Sequence, residues 1–189
     1  MEMRTIFFVG KPGCGKGTQA KLLAEETGWT VFASGVLFRQ IASEDTPVGR
    51  KTKEVDVQGL LQPPWFAMYL YLKSLFSIPD EQSVIFDGFN RKVPEAELIV
   101  DSMKWLGRPF SVIHVAVSDE TMRDRLANRH VTSGRADDAP AAFATRLAEY
   151  REFTEPALAL FRREGALIEI DGEKTPKEIA ADIRAALKI

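Results

Sequence analysis

Four glycines, two lysines and a threonine crowd into the eleven residues "GKPGCGKGTQA", Gly10 to Ala20. That mixture suits one kind of chemistry, the binding of a polyphosphate. Glycines let backbone N–H groups approach an anion closely, a lysine at position 16 can reach β- and γ-phosphates, and a hydroxyl at position 18 can face a bound metal. The segment follows the apolar run "TIFFV" and opens a helical pattern, so the positive end of that helix would point at the phosphate. One detail departs from the general G-x-x-x-x-G-K-[ST] pattern. Gly17 follows the lysine directly, and the hydroxyl of Thr18 arrives one residue late.

Such a loop works only if a scaffold holds it at the end of a strand. Short, continuously apolar runs at 5–10, 30–33, 83–88, 111–118 and 166–171 alternate with longer helical patterns. Runs without polar alternation suit strands covered on both faces, so the chain is predicted to be a three-layer α/β protein around a five-stranded parallel sheet. Helices are predicted at Lys16 to Thr27, Pro94 to Leu106, Glu120 to Asn128, Pro140 to Glu164 with an interruption at Pro156, and Pro176 to Leu187. Residues 34–75 read as helical without a strand, an insert beside the sheet.

Composition narrows the partners. At 189 residues with 45% hydrophobic content the chain can fill one core, which fits a single domain. A net charge of -2 gives no global basic field, which argues against nucleic acid, so any anion site must be local. The single cysteine, Cys14, fits a reducing compartment and is read as a small loop residue. With no apolar stretch near the ~20 residues of a membrane span, a soluble cytoplasmic protein is expected. His114 lies inside an apolar run and reads as core, and Trp29, Trp65 and Trp105 read as packing.

The loop "GKPGCGKGTQA", followed in order by "SGVLFR", "FDGFNR", "DRLANR", "SGRADD" and "TRLAEY", resembles the adenylate kinases and their nucleoside monophosphate kinase relatives along nearly the whole chain. The resemblance implies direct phosphoryl transfer from ATP to a nucleoside monophosphate, most plausibly AMP, assisted by Mg2+ and carried out by a monomer. It divides the chain into a core (1–33, 76–130 and 140–189), a monophosphate-binding insert (34–75) and a lid (131–139). Only three residues separate His130 from "GRADD", so the lid is expected to be short and to lack structural zinc.

The resemblance also assigns roles. Gly13, Cys14, Gly15, Lys16, Gly17, Thr18, Arg125, Arg129 and Lys174 are expected on ATP, with Thr18 and Asp87 holding Mg2+ through water. Ser34, Arg39, Leu60, Leu61, Gln62, Gly88, Phe89, Asn90, Arg91, Glu95, Arg135 and Arg146 are expected on the acceptor. Lys16, Arg91, Arg125, Arg135 and Arg146 are the expected catalytic groups. Transfer spreads charge over the moving phosphoryl oxygens, and planar, permanently charged guanidiniums meet such oxygens two at a time. Asp137 and Asp138 would orient the lid arginines or complement the next helix's dipole.

Three residues depart from the family pattern. Val36 stands where aspartate is usual near the metal waters, Asn90 where a proline with a cis preceding bond is usual, and Glu95 where glutamine is usual. Ser34 favours AMP, but an ionised Glu95 can only accept hydrogen bonds and would face the adenine N1 lone pair. Glu95 binds as the neutral acid, or shifts to the 6-amino group, or the site prefers guanine. Two broader alternatives accompany the adenylate reading: a kinase for another monophosphate (GMP, CMP or UMP), or a nucleotide-binding regulator descended from such an enzyme.

Overall fold

The central strand shows why the sheet needs cover on both sides. All five residues of β1 (Thr5–Val9) are buried. Because side chains alternate across a strand, Ile6 and Phe8 enter one core while Phe7 and Val9 enter the other. The computed structural model describes residues 4–133 and 140–189. Within it β1 is flanked by β3 (Val84–Asp87) and β4 (Phe110–Ala116), with β2 (Thr30–Ala33) and β5 (Leu167–Asp171) at the edges. The order is β2-β3-β1-β4-β5 and all pairings are parallel, as the apolar runs predicted. The edge strands are less enclosed, and Thr30, Val31 and Glu169 reach solvent.

One face of the sheet is covered by α1 (Lys16–Thr27), α6 (Asp119–Ser133) and α9 (Pro176–Leu187), which bring Leu23, Met122, Leu126, Ile179 and Ile183 against Ile6, Phe8 and Ile113. The other is covered by α4 (Pro64–Leu75), α5 (Val93–Trp105) and α8 (Glu155–Arg163). There Phe7 stacks on Phe86 at 5.0 Å, and Tyr71 meets Phe86 edge-on at 5.3 Å. Residues 34–75 form α2 (Ser34–Ala42), α3 (Pro47–Val57) and α4, joined by short turns with no strand among them, as expected. Thr46 caps α3 by accepting from the Gly49 N–H, and Pro47 takes the first turn, where its missing donor costs nothing.

Two expectations need adjustment. The helix predicted over 140–164 is three pieces: α7 (Pro140–Glu149), a π-helical turn at Tyr150–Thr154, and α8. Pro156 has no N–H to continue the ladder, and the wider turn immediately before it absorbs the defect. Trp29 packs against the core, but Trp65 and Trp105 are 65% and 83% exposed, so neither is a core residue. Trp105 reaches water on the outer face of α5, while Trp65 stacks one face of its ring on Phe66 at 5.4 Å and leaves the rest in solvent. His114 is buried as expected, with Nε2 3.0 Å from the Tyr150 hydroxyl and Nδ1 3.4 Å from Glu169. Among the described residues no helix is long and apolar enough to cross a membrane.

Candidate active site

The carboxyl ends of the strands carry the site, as expected for an open parallel sheet whose connections diverge on either side of a central strand. Chain segments leaving β1, β2 and β3, together with α6, α7 and the start of α9, enclose a cleft of about 860 Å³. Gly13, Cys14, Gly15, Lys16, Gly17 and Thr18 all line it. Burial pulls the Lys16 ammonium below the ordinary lysine value; Cys14 and Asp87 oppose that shift, and Arg91 and Arg146 reinforce it. Its nearest protein acceptor is the Lys11 carbonyl, at a long 3.4 Å. A desolvated cation with so little compensation is poised for an anion, whose arrival restores its proton affinity.

The displaced hydroxyl has a steric explanation. A Cβ on Gly17 would lie 3.2 Å from Asp87 Oδ2, so any side chain directly after the lysine crowds this carboxylate. Glycine leaves Asp87 room at the helix start and moves the hydroxyl to Thr18, which is exposed on the cleft wall. Asp87 Oδ1 is sealed from solvent and has no hydrogen-bond partner. A buried, unpartnered carboxylate oxygen beside a phosphate loop suits a magnesium ion or its waters, since that ion prefers hard oxygen donors and retains several waters. Bound there, magnesium would neutralise charge developing on the transferring phosphates. No cluster of three or more His, Cys, Asp or Glu side chains arranged to hold a metal occurs among the described residues.

Five of the six expected arginines converge on the cleft: Arg39 from α2, Arg91 from the turn after β3, Arg125 and Arg129 from α6, and Arg146 from α7. Arg125 is held by the loop itself, donating to the Cys14 carbonyl at 3.1 Å and to the Gly172 carbonyl at 2.9 Å. The sixth, Arg135, lies outside the described residues, as do Asp137, Asp138 and most of the expected lid.

A second, smaller recess of about 70 Å³ opens beside the cleft, and Arg39, Arg91 and Arg146 line both spaces. Beyond them the recess is walled by Phe38, Leu61, Ala67 and Gly88, with Glu95 and Gln62 as polar groups. Gly88 is held at φ 80°, and a Cβ there would strike the Arg91 guanidinium at 2.8 Å and Ser34 Oγ at 2.9 Å. The same glycine's carbonyl accepts from Ser34 Oγ at 2.8 Å and Arg91 Nε at 3.0 Å, so one residue anchors both. Gln62 is tied to α3 through Nε2, 3.0 Å from the Thr52 carbonyl and 2.9 Å from Asp56 Oδ1. Glu95 is buried in the first turn of α5, with Oε2 accepting from the backbone N–H of Arg91 at 2.8 Å and of Lys92 at 3.2 Å.

Other expected residues stand apart from these spaces. Leu60 is exposed and Phe89 is core, and neither lines the cleft or the recess. Lys174 directs its ammonium to Asp182 at 2.7 Å. Asn90 is fully buried with both amide atoms unpartnered, and the described backbone has no cis peptide bond. Val36 lines the cleft while 55% exposed, an apolar side chain where a carboxylate was expected. Sequence reasoning passed over Val31, Pro176 and Ile179 on the cleft and Phe38, Asp56 and Ala67 in the recess. Pro176 and Ile179 could have been found from their position just beyond β5; the rest carry no chemical signature of their own.

Comparison with known proteins agrees with this geometry. Residues 8–166 match the model of the adenylate kinase family. The chain belongs to the adenylate kinase family. It is accordingly a phosphotransferase of the nucleoside monophosphate kinase class. It is 36% identical over 187 residues to an adenylate kinase of Thermus thermophilus, covering 98% of each chain. Identity is 35% over 188 residues to that of Caulobacter sp. strain K31, covering 99% of each, and 33% over 187 residues to that of Hyphomonas neptunium, covering 98% of each.

Proposed function

We propose that this kinase transfers the γ-phosphoryl group of ATP to AMP, yielding two ADP, with ATP in the large cleft and AMP in the recess. The observation that carries the assignment is the sharing of Arg39, Arg91 and Arg146 between the two spaces. A phosphate at their junction belongs to both substrates in turn, which is what direct transfer requires. An oxygen of the AMP phosphate attacks the γ-phosphorus, the bond from that phosphorus to the β,γ-bridging oxygen breaks, and the bridging oxygen leaves on the first ADP. Lys16, Arg91, Arg125, Arg135 and Arg146 stabilise the charge on the moving group, and Thr18 and Asp87 would hold magnesium, through water, to neutralise charge on the phosphates. Gly13 to Thr18 and Arg129 serve ATP, and Lys174, which stands outside the cleft bonded to Asp182, would have to leave that partner to join them. Arg39, Leu61, Gln62, Gly88 and Glu95 form the acceptor side, Ser34 supports it through the Gly88 carbonyl, and buried Phe89 and Asn90 support the turn behind it; exposed Leu60 takes no part.

Family membership and the adenylate kinase names of the relatives support AMP over GMP, CMP or UMP. Retention of Lys16, Asp87 and all six arginines supports an enzyme over a nucleotide-sensing regulator, which has little use for a transition-state clamp. We further propose a magnesium-dependent cytoplasmic monomer in which residues 34–75 and a short lid at 131–139 close over the substrates and exclude water. ATP labelled at the γ-phosphorus tests the chemistry. In the first turnovers label should pass only to the β-phosphate of ADP formed from AMP, and magnesium removal should stop the reaction. Label recovered mainly as inorganic phosphate would refute direct transfer.

A further inference from the structure

We propose that Glu95 reads the AMP base as a neutral carboxylic acid, donating a hydrogen bond from Oε1 to adenine N1, so that AMP binding takes up a proton above neutral pH. The proposal rests on the assignment of the recess to AMP. With the phosphate held by Arg39, Arg91 and Arg146 at the mouth, the base extends toward the inner wall where Glu95 stands. Oε2 of that carboxyl is committed to the two backbone N–H groups that open α5. This anchoring fixes the side chain, so it is not free to slide away from a repulsive contact. Oε1 accepts no hydrogen bond among the described residues. Unlike the Asn90 amide it is not sealed from solvent, and because Glu95 lines the recess, that is the space it faces. An ionised Oε1 would set one lone pair against another at N1; a protonated Oε1 supplies the donor that N1 needs.

The surroundings favour the proton. Burial raises the Glu95 carboxyl to about 7, against the lowering effect of the hydrogen bonds and charges of Arg91 and Lys92. The recess also presents Arg39 from α2, Asp56 from α3 and Arg146 from α7, three cations in all with Arg91 and one anion. AMP brings a phosphate dianion that neutralises the guanidiniums, and it displaces water from the carboxyl. Both changes favour the neutral acid further. The base specificity of this chain therefore depends on a proton where a glutamine would carry permanent N–H donors.

The experiment is calorimetric titration of the intact protein with AMP in two buffers of different ionisation enthalpy, from pH 7.5 to 9. In this range the AMP phosphate, with a second pKa of ~6, stays ionised. Wild type should take up close to one proton per AMP at the upper end, with affinity falling by up to roughly tenfold per pH unit. Glu95→Gln keeps a carbonyl oxygen for the two backbone N–H groups. It should take up no proton through this residue, and its affinity should be nearly flat with pH. Lys16 is common to both proteins, so the difference between the profiles isolates Glu95. Proton uptake and pH slope equal in the two proteins, with AMP still bound, would overturn the proposal and leave the site assignment standing. Failure of wild type to bind AMP even at pH 7.5 would overturn both.

Discussion

The two halves of the active site are built by different means. On the ATP side, six consecutive residues, Gly13 to Thr18, line the cleft, and Arg125 is fastened to that loop through the Cys14 carbonyl. On the AMP side, the recess draws single side chains from α2, α3, α4, α5 and α7 and from the connections between them. A site made of one loop fails or survives as a unit. A site assembled from scattered side chains can exchange one member at a time, and the three departures from the family pattern, Val36 in α2, Asn90 in the turn after β3 and Glu95 in the first turn of α5, all fall outside the loop.

Breaking the ATP side should have the largest effect. Lys16→Met is expected to lower kcat/KM by at least about 10³-fold while leaving Tm unchanged or higher, because it removes a desolvated cation that compensates bound phosphate. Steady-state kinetics and thermal melting check this, and near-normal turnover would remove the phosphate-loop assignment. At the junction of the two sides, Arg91→Ala should lower kcat by roughly 10²-fold, and Arg91→Lys should recover little of it, since a point charge cannot reproduce a two-pronged contact. A loss confined to KM would mean that Arg91 binds only the ground state.

Changes deeper on the AMP side should be smaller, and in the unliganded protein they read as stability. The Glu95 carboxyl titrates at about 7 in the folded protein against an ordinary 4.5. Between those values the native state keeps a proton that the unfolded chain has released, so this group's stabilisation is full below 4.5 and is lost as pH rises through 7. Glu95→Gln should therefore match wild-type Tm in acid and exceed it by roughly 10 °C in mildly alkaline buffer. An equal difference at both pH values would mean that the carboxyl does not hold its proton in the folded state. Least of all, Asn90→Leu should gain ~1 kcal/mol in denaturant unfolding, by replacing a sealed amide without partners with an apolar side chain of similar shape.

How far the sequence could be read follows the same division. The parallel sheet was legible because buried strands are uninterrupted apolar runs, and the phosphate loop because its glycines and lysine must lie within a few residues of one another to act together. The arginines were legible only through the order of the family's motifs, since nothing in the local sequence separates Arg39 or Arg146 from a solvated surface residue. Phe38, Asp56 and Ala67 were not legible, because helix packing alone brings them to the recess. Trp65 and Trp105 misled for the opposite reason: large apolar rings usually pack, and only the placement of α4 and α5 leaves these two in water. The π-helical turn was anticipated as a break at Pro156, but whether a proline kinks, ends or widens a helix depends on tertiary contacts that the sequence does not display.

The central claim is that the recess receives AMP and the cleft delivers phosphate to it. The most direct measurement is a coupled assay of ADP formation from ATP and magnesium with AMP, GMP, CMP and UMP in turn, comparing kcat/KM. AMP is predicted to exceed each of the others by at least about tenfold, the scale on which a donor correctly placed at N1 separates bases. A comparable advantage for any other monophosphate would contradict the assignment of the base, and absence of turnover with all four would contradict the kinase itself.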